Sequence, residues 1–156
     1  MRMSDFVVRD AIIPELTAST KEGVIREMVA SLHAAGQFKS GDLDDVVRAI
    51  LKRESLGSTG IGRGVAIPHT KHGCVERLVA TIALSRSGVD FNSLDGEKVF
   101  VFILLISPVD RPGDHLRALE NVSRHLRDEA FVASLRGSTS ADSIWGLVED
   151  GSNHQP

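Results

Sequence analysis

Eight consecutive residues, Val99 to Ile106, are apolar without interruption. The run is far short of the roughly 18 residues a membrane span requires, and it lacks the alternation of a strand with one face in water. It fits a strand buried on both faces, which other layers must then cover from two sides. Leu78 to Leu84 is nearly as apolar and reads as a second such strand. Val65-Ala66-Ile67-Pro68-His69 reads as a brief third, ended by Pro68, which has no N–H to give a ladder.

Helical spacing surrounds these strands. Ser19 and Glu22 form a capping-box pattern ahead of Val24, Ile25, Met28, Val29 and Leu32, with Gly36 as the stop. His33 in the last turn has an ordinary role beside the helix dipole. Asp42 is the N-cap of a second helix carrying Val46, Val47, Ile50 and Leu51, which runs through Lys52-Arg53-Glu54 before Gly57. A third follows Ser107-Pro108 with Leu116, Leu119, Val122 and Leu126, and shorter helical patterns cover Glu129 to Leu135 and Asp142 to Val148, the latter with Ser140 as a cap. Helices around continuous-apolar strands predict an α/β layered fold with the sheet in the middle. With 156 residues, 42% of them hydrophobic, the chain can bury one substantial core. The expectation is a single domain over residues 1–150, with 151–156 as a flexible tail.

Several function classes fall away. A formal charge of -3 gives no driving attraction to nucleic acid or to an anionic membrane. Cys74 stands alone, so no intramolecular disulfide forms and a reducing compartment, the cytoplasm, is expected. The N-terminus Met1-Arg2-Met3-Ser4-Asp5-Phe6 has no apolar signal core, so no direct membrane insertion is expected. His69, His72 and Cys74 are spaced H-x-x-H-x-C, which matches no common zinc pattern. Gly60-x-Gly62-x-Gly64 is neither the dinucleotide fingerprint nor a P-loop. No metal or cofactor is expected.

The chemistry concentrates elsewhere. Residues 57–64 hold four glycines, an arrangement that disfavours regular structure and lets backbone approach a ligand. Hydroxyls stand in it at Ser58 and Thr59, and it leads into Pro68 and His69. A reactive imidazole is well presented from such a braced loop. His115, Leu119, Val122 and Leu126 follow i, i+4, i+7, i+11, which turns His115 inward in the first turn of its helix. There the helix dipole disfavours imidazolium; a neutral ring suits phosphate binding, and equally a capping or core histidine. Arg53 offers a guanidinium matched to phosphate oxygens, or a solvated helix end paired with Glu54 or an aspartate. His125 and His154 read as a helix-surface and a tail residue.

The stretch from Arg53 through Gly57-Ser58-Thr59-Gly60-Ile61-Gly62-Arg63-Gly64 to Ile67-Pro68-His69-Thr70-Lys71 closely resembles the active-site signature of enzyme IIA domains of the fructose/mannitol type, from the bacterial phosphoenolpyruvate-dependent sugar phosphotransferase system. Gly88 to Gly96, Val99 to Ile106 and Asp114-His115-Leu116 resemble that family in the same order, and the likeness spans about residues 6 to 149. The resemblance implies a mixed sheet flanked by helices and a stoichiometric phosphocarrier of the phosphotransferase system. It implies that His69 is phosphorylated, that His115 is the second active-site histidine and that Arg53 stabilises the phosphoryl group. Many members have glycine directly after the histidine, where this chain has Thr70; its hydroxyl is counted with those of Ser58 and Thr59 as phosphate-binding.

The resemblance also implies partners: an HPr-like phosphocarrier protein as donor, and as acceptor either an enzyme IIB or a regulatory target. The sequence contains no IIB, permease or HPr-like segment, so those partners are expected on separate polypeptides. A nitrogen-regulatory role, in which the phosphorylation state is the signal, is the first expectation; a sugar-transport IIA is the alternative, and a binding module that has lost transfer the third.

Overall fold

The structure, a computed structural model, describes residues 1–153, without the side chains of Ser40, Ser152 and Asn153. Among the described residues there are six α-helices: α1 (Met3–Phe6), α2 (Lys21–Ala34), α3 (Leu43–Ser55), α4 (Pro112–Leu126), α5 (Glu129–Arg136) and α6 (Ala141–Asn153). Five strands form one mixed sheet: β1 (Gly60–Gly62), β2 (Val65–Ala66), β3 (His69–Lys71), β4 (Val79–Val89) and β5 (Val99–Ser107).

The uninterrupted apolar strand is the axis of this sheet. β4 runs antiparallel along one side of β5, with Val79 opposite Ile106 and Leu84 opposite Val101. β2 and β3 run parallel along the other side, with Val65 opposite Val101 and His69 opposite Leu105. The sequence suggested one strand from Val65 to His69; it is two, parted at Ile67-Pro68, because Pro68 has no N–H to donate while its carbonyl accepts from Leu105 N at 3.0 Å. β4 continues past the expected Leu84 to Val89 through an irregularity in register.

Alternate residues of β4 and β5 sort onto two faces, as the two-residue period requires. Val79, Ala83, Phe102, Leu104 and Ile106 pack with α2 and α3 through Val24, Ile25, Val47 and Ile50. Ala80, Ile82, Leu84, Val101, Ile103 and Leu105 pack with Met3, Ala118, Val122, Leu135 and Ile144. Both faces are therefore covered, which is why these strands carry no polar stripe.

Some elements depart from the sequence reading. α2 is capped by Thr20 rather than Ser19: its side chain accepts from Gly23 N at 3.1 Å. The glycine-rich run is not irregular; β1 pairs antiparallel with β2 around a turn in which Gly62, Arg63 and Gly64 all have positive φ (97°, 58° and 80°). Asp95 holds that turn by accepting from Arg63 N at 3.0 Å. At Gly60 a side chain would collide with Ser93, so the hairpin passes the following loop at backbone contact. The segment before α2 adds to the outer edge of β4 through parallel bridges, Val7 with Ala80 and Ile13 with Ala83. His125 is buried rather than on the helix surface: Nδ1 donates to Asn121 O at 2.9 Å, and the ring packs against Phe131 with centroids 5.4 Å apart. Gly151 lies against that ring within α6, so residues 151–153 are helical and not the start of a tail. Residues 154–156, with His154, lie outside the described residues.

Ile103 is wholly buried at the centre of β5, whereas Leu116 is 61% exposed on α4. Ile103→Ala should lower unfolding free energy by about 2–5 kcal/mol, and Leu116→Ala by no more than about 0.5 kcal/mol; urea denaturation of the two variants measures the contrast.

Candidate active site

His69 is the first residue of β3, and its register partner is Leu105. Residues in register share a face, and Leu105 belongs to the α4 side of the sheet. His69 therefore faces α4, where His115 sits in the first turn on the buried stripe. The two imidazole rings meet with centroids 5.4 Å apart, tilted by 54°. His115 is only 6% exposed, while His69 is half-buried and reaches the surface.

The hydrogen bonds decide which nitrogens carry protons. His69 Nδ1 lies 2.7 Å from the carbonyl oxygen of Ile67. A carbonyl only accepts, so Nδ1 holds the hydrogen and Nε2 of the neutral ring keeps its lone pair. Burial lowers the His69 pKa below the ordinary imidazole value, and the Arg53 charge lowers it further; the Ile67 carbonyl and the Glu54 carboxylate work in the opposite sense. His115 Nδ1 lies 2.6 Å from Ser107 Oγ. Burial, then the neighbouring His69 and Lys71, lower the His115 pKa to about 4. At neutral pH the site thus presents an uncharged His115 beside an uncharged His69.

Arg53 enters from the end of α3. Its Nη1 donates to Gly57 O at 2.9 Å, which braces the start of the glycine run, and its charge is felt at His69. The adjacent Glu54 is buried and accepts from both the backbone N–H and the hydroxyl of Thr59. Lys21 Nζ neutralises it at 2.9 Å, lies 4.6 Å over the Phe91 ring and donates to Phe91 O at 3.3 Å. A buried carboxylate is tolerated because its charge is paired and its oxygens are hydrogen-bonded. Ser58 Oγ also donates to Phe91 O, at 2.7 Å, and accepts from Gly60 N at 3.0 Å. Thr70 stands on the opposite side of β3 from His69, in register with Ile106, and its hydroxyl donates to Lys71 O at 3.1 Å.

The structure brings together His69, His115 and the charge of Arg53, and it commits the hydroxyls of Ser58, Thr59 and Thr70 to protein acceptors. Sequence reasoning missed Ser107 and the Lys21–Glu54 pair. Only the position of Ser107, as the polar end of an apolar strand, hinted at the first; nothing local hinted at the second. His72, considered with Cys74 as a metal ligand, lies 2.5 Å from Asp45 through Nε2, and its Nδ1 accepts from Cys74 N at 2.9 Å. Burial pushes the Cys74 thiol up to about 11. Among the described residues no group of three or more His, Cys, Asp or Glu could hold a metal ion, and no helix is long and apolar enough to cross a membrane.

Residues 5–151 match the family described as the phosphoenolpyruvate-dependent sugar phosphotransferase system, EIIA 2. The chain belongs to that family. It is 34% identical over 148 residues to a nitrogen regulatory protein of Bradyrhizobium diazoefficiens, an alignment covering 95% of each chain. It is also 34% identical over 148 residues to the fructose-specific EIIABC component of Bacillus subtilis, where the match covers 95% of this chain and 23% of the relative. Among solved structures, the nitrogen regulatory protein IIA-Ntr of Neisseria meningitidis superimposes with a TM-score of 0.84 at 26% identity, covering 94% of this chain and 98% of that one. This EIIA chain is accordingly a phosphocarrier component of the phosphotransferase system, with the mixed sheet that its sequence implied.

The low pKa of His115 has a signed consequence for stability. The folded chain resists the proton down to about pH 4, whereas the unfolded imidazole takes it near 6.5. Stability is therefore retained above pH 6.5 and lost as pH falls from there to 4, by up to about 3 kcal/mol from this group. In urea titrations over that range, His115→Gln should show a shallower loss of stability than the parent chain.

Proposed function

We propose that His69 Nε2 is the phosphoryl acceptor of this EIIA chain, acting within one domain over residues 1–150. The observation that carries the reading is the 2.7 Å contact of Nδ1 with the Ile67 carbonyl, which leaves Nε2 unprotonated beside His115. The donor is a phosphohistidine on an HPr-like carrier protein. The Nε2 lone pair attacks phosphorus in line, the N–P bond of the donor breaks, and its electron pair returns to the donor imidazole. The His69 proton stays on Nδ1, so the transfer needs no general base.

Stabilisation is electrostatic and positional. Arg53 supplies the fixed positive charge, because a guanidinium with one N–H on Gly57 still has four N–H groups for phosphoryl oxygens. His115 supplies a neutral donor. Ser58, Thr59 and Thr70 are assigned to holding the loop and strand in shape, since each hydroxyl proton already has an acceptor. In the forward direction a partner protein takes the group from His69.

The preferred role is regulatory and cytoplasmic, with the phosphorylation state of His69 read by a target protein. It is supported by the 95% mutual coverage with the Bradyrhizobium diazoefficiens nitrogen regulatory protein. A sugar-transport role, passing the group to an enzyme IIB, is the second reading, favoured by equal identity to the Bacillus subtilis fructose-specific component.

Incubation with labelled phosphoenolpyruvate and the general carrier proteins tests the assignment. His69→Ala should take up no label, and Arg53→Ala should slow uptake on the order of a hundredfold; retained labelling of His69→Ala overturns the reading. Onward transfer to an enzyme IIB cysteine would favour transport, and a target complex that changes with phosphorylation would favour regulation.

A further inference from the structure

Ser107 is the last residue of β5, wholly buried, where the strand delivers the chain toward α4. Its carbonyl accepts from His72 N at 2.8 Å and holds the end of β3 in place. Its hydroxyl has a different use. Oγ lies 2.6 Å from His115 Nδ1, and among the described residues this is its sole polar partner.

The hydroxyl carries one proton, and a buried O–H without an acceptor costs about 1–3 kcal/mol. Two arrangements of the pair exist. If His115 Nδ1 carried the hydrogen and donated to Oγ, the hydroxyl proton would be left with no acceptor in a site closed to water. If Nδ1 is bare, the hydroxyl donates to it and both groups are satisfied. Neutral imidazole then carries its hydrogen on Nε2, the nitrogen away from Ser107.

From this geometry we infer that Ser107 is a positioning residue: its hydroxyl donates to His115 Nδ1 and thereby fixes the Nε2–H tautomer, turning the second histidine into a hydrogen-bond donor for the phosphoryl group. The inference rests on His69 being the acceptor, as proposed above. The opposite tautomer would place an Nε2 lone pair against phosphoryl oxygens and repel them. The two active-site rings are thus set as opposites by one neighbour each. The Ile67 carbonyl forces His69 Nε2 to be bare and nucleophilic; the Ser107 hydroxyl forces His115 Nε2 to be protonated and donating. No proton moves in either case. The roles come from an acceptor that cannot donate and a hydroxyl with one acceptor in reach.

Nitrogen-15 spectra of histidine-labelled protein at neutral pH read the tautomers directly. The parent chain should show Nε2–H on His115 and Nδ1–H on His69. Ser107→Ala should move His115 toward the Nδ1–H form, leave His69 unchanged, and slow phosphoryl uptake about tenfold or more, the worth of one charge-assisted hydrogen bond. Ser107→Thr, which restores a hydroxyl, should recover both the tautomer and the rate. An Nδ1–H tautomer of His115 in the parent overturns the inference without any variant. So does a Ser107→Ala protein that keeps the Nε2–H form at the parental rate. Failure of the His69 reading shows separately, as labelling that survives His69→Ala.

Discussion

β5 is buried on both faces, and that burial is the constraint from which the site follows. A strand with no polar face must be covered twice, so α2 and α3 close one side and the remaining α-helices the other. Its register then hands each neighbouring residue a side. Leu105 faces α4, so His69 opposite it faces α4 as well, and the first turn of that helix brings His115 to it. Shifting β3 by one residue would turn Thr70 toward α4 and His69 toward α3, because side chains alternate along a strand. The meeting of the two histidines is a consequence of how β3 docks on the core.

The second requirement is a glycine-rich segment held still beside an open imidazole. Glycine is permissive in φ, and the ordering here comes from side chains around the segment. Glu54, neutralised by Lys21, grips Thr59; Phe91 accepts from both Ser58 and Lys21; Arg53 grips Gly57; Asp95 grips Arg63. The buried part of this framework is Glu54 with Thr59 and Lys21, where removing one partner would leave an uncompensated buried group. Arg53 is the member of this framework nearest in influence to His69, so the residue that braces the loop also biases the charge of the imidazole.

Charge at the centre is controlled by burial. Both histidines are kept from protonating mainly because they are withdrawn from water, and the nearby cations add to the effect. The charges of Arg53 and Lys71 are felt at the two neutral rings, while the carboxylate of Glu54 is neutralised by Lys21. This arrangement suits the handling of an anion that must be both accepted and released.

Much of this was legible in the sequence because it depends on local period. The apolar runs of β4 and β5, the stripes of α2, α3 and α4, the inward turn of His115 and the bracing of His69 by Pro68 all follow from spacings within a few residues. What escaped depends on residues far apart in the chain. Ser58 and Phe91 are separated by 33 positions, and the bridges of Val7 to Ala80 and Ile13 to Ala83 join segments that no local pattern connects. The glycine run looked irregular because Ser93 and Asp95, which pack against its hairpin, belong to a later loop brought there only by docking. His125 looked exposed because Phe131 and Gly151 reach it only after α5 and α6 fold back. The sequence by itself determined the apolar stripes of the main helices and strands, since periodicity is a property of neighbours along the backbone. Which nitrogen of each histidine bears a proton was decided only by tertiary structure, since a carbonyl and a hydroxyl had to be carried within hydrogen-bonding distance of each ring.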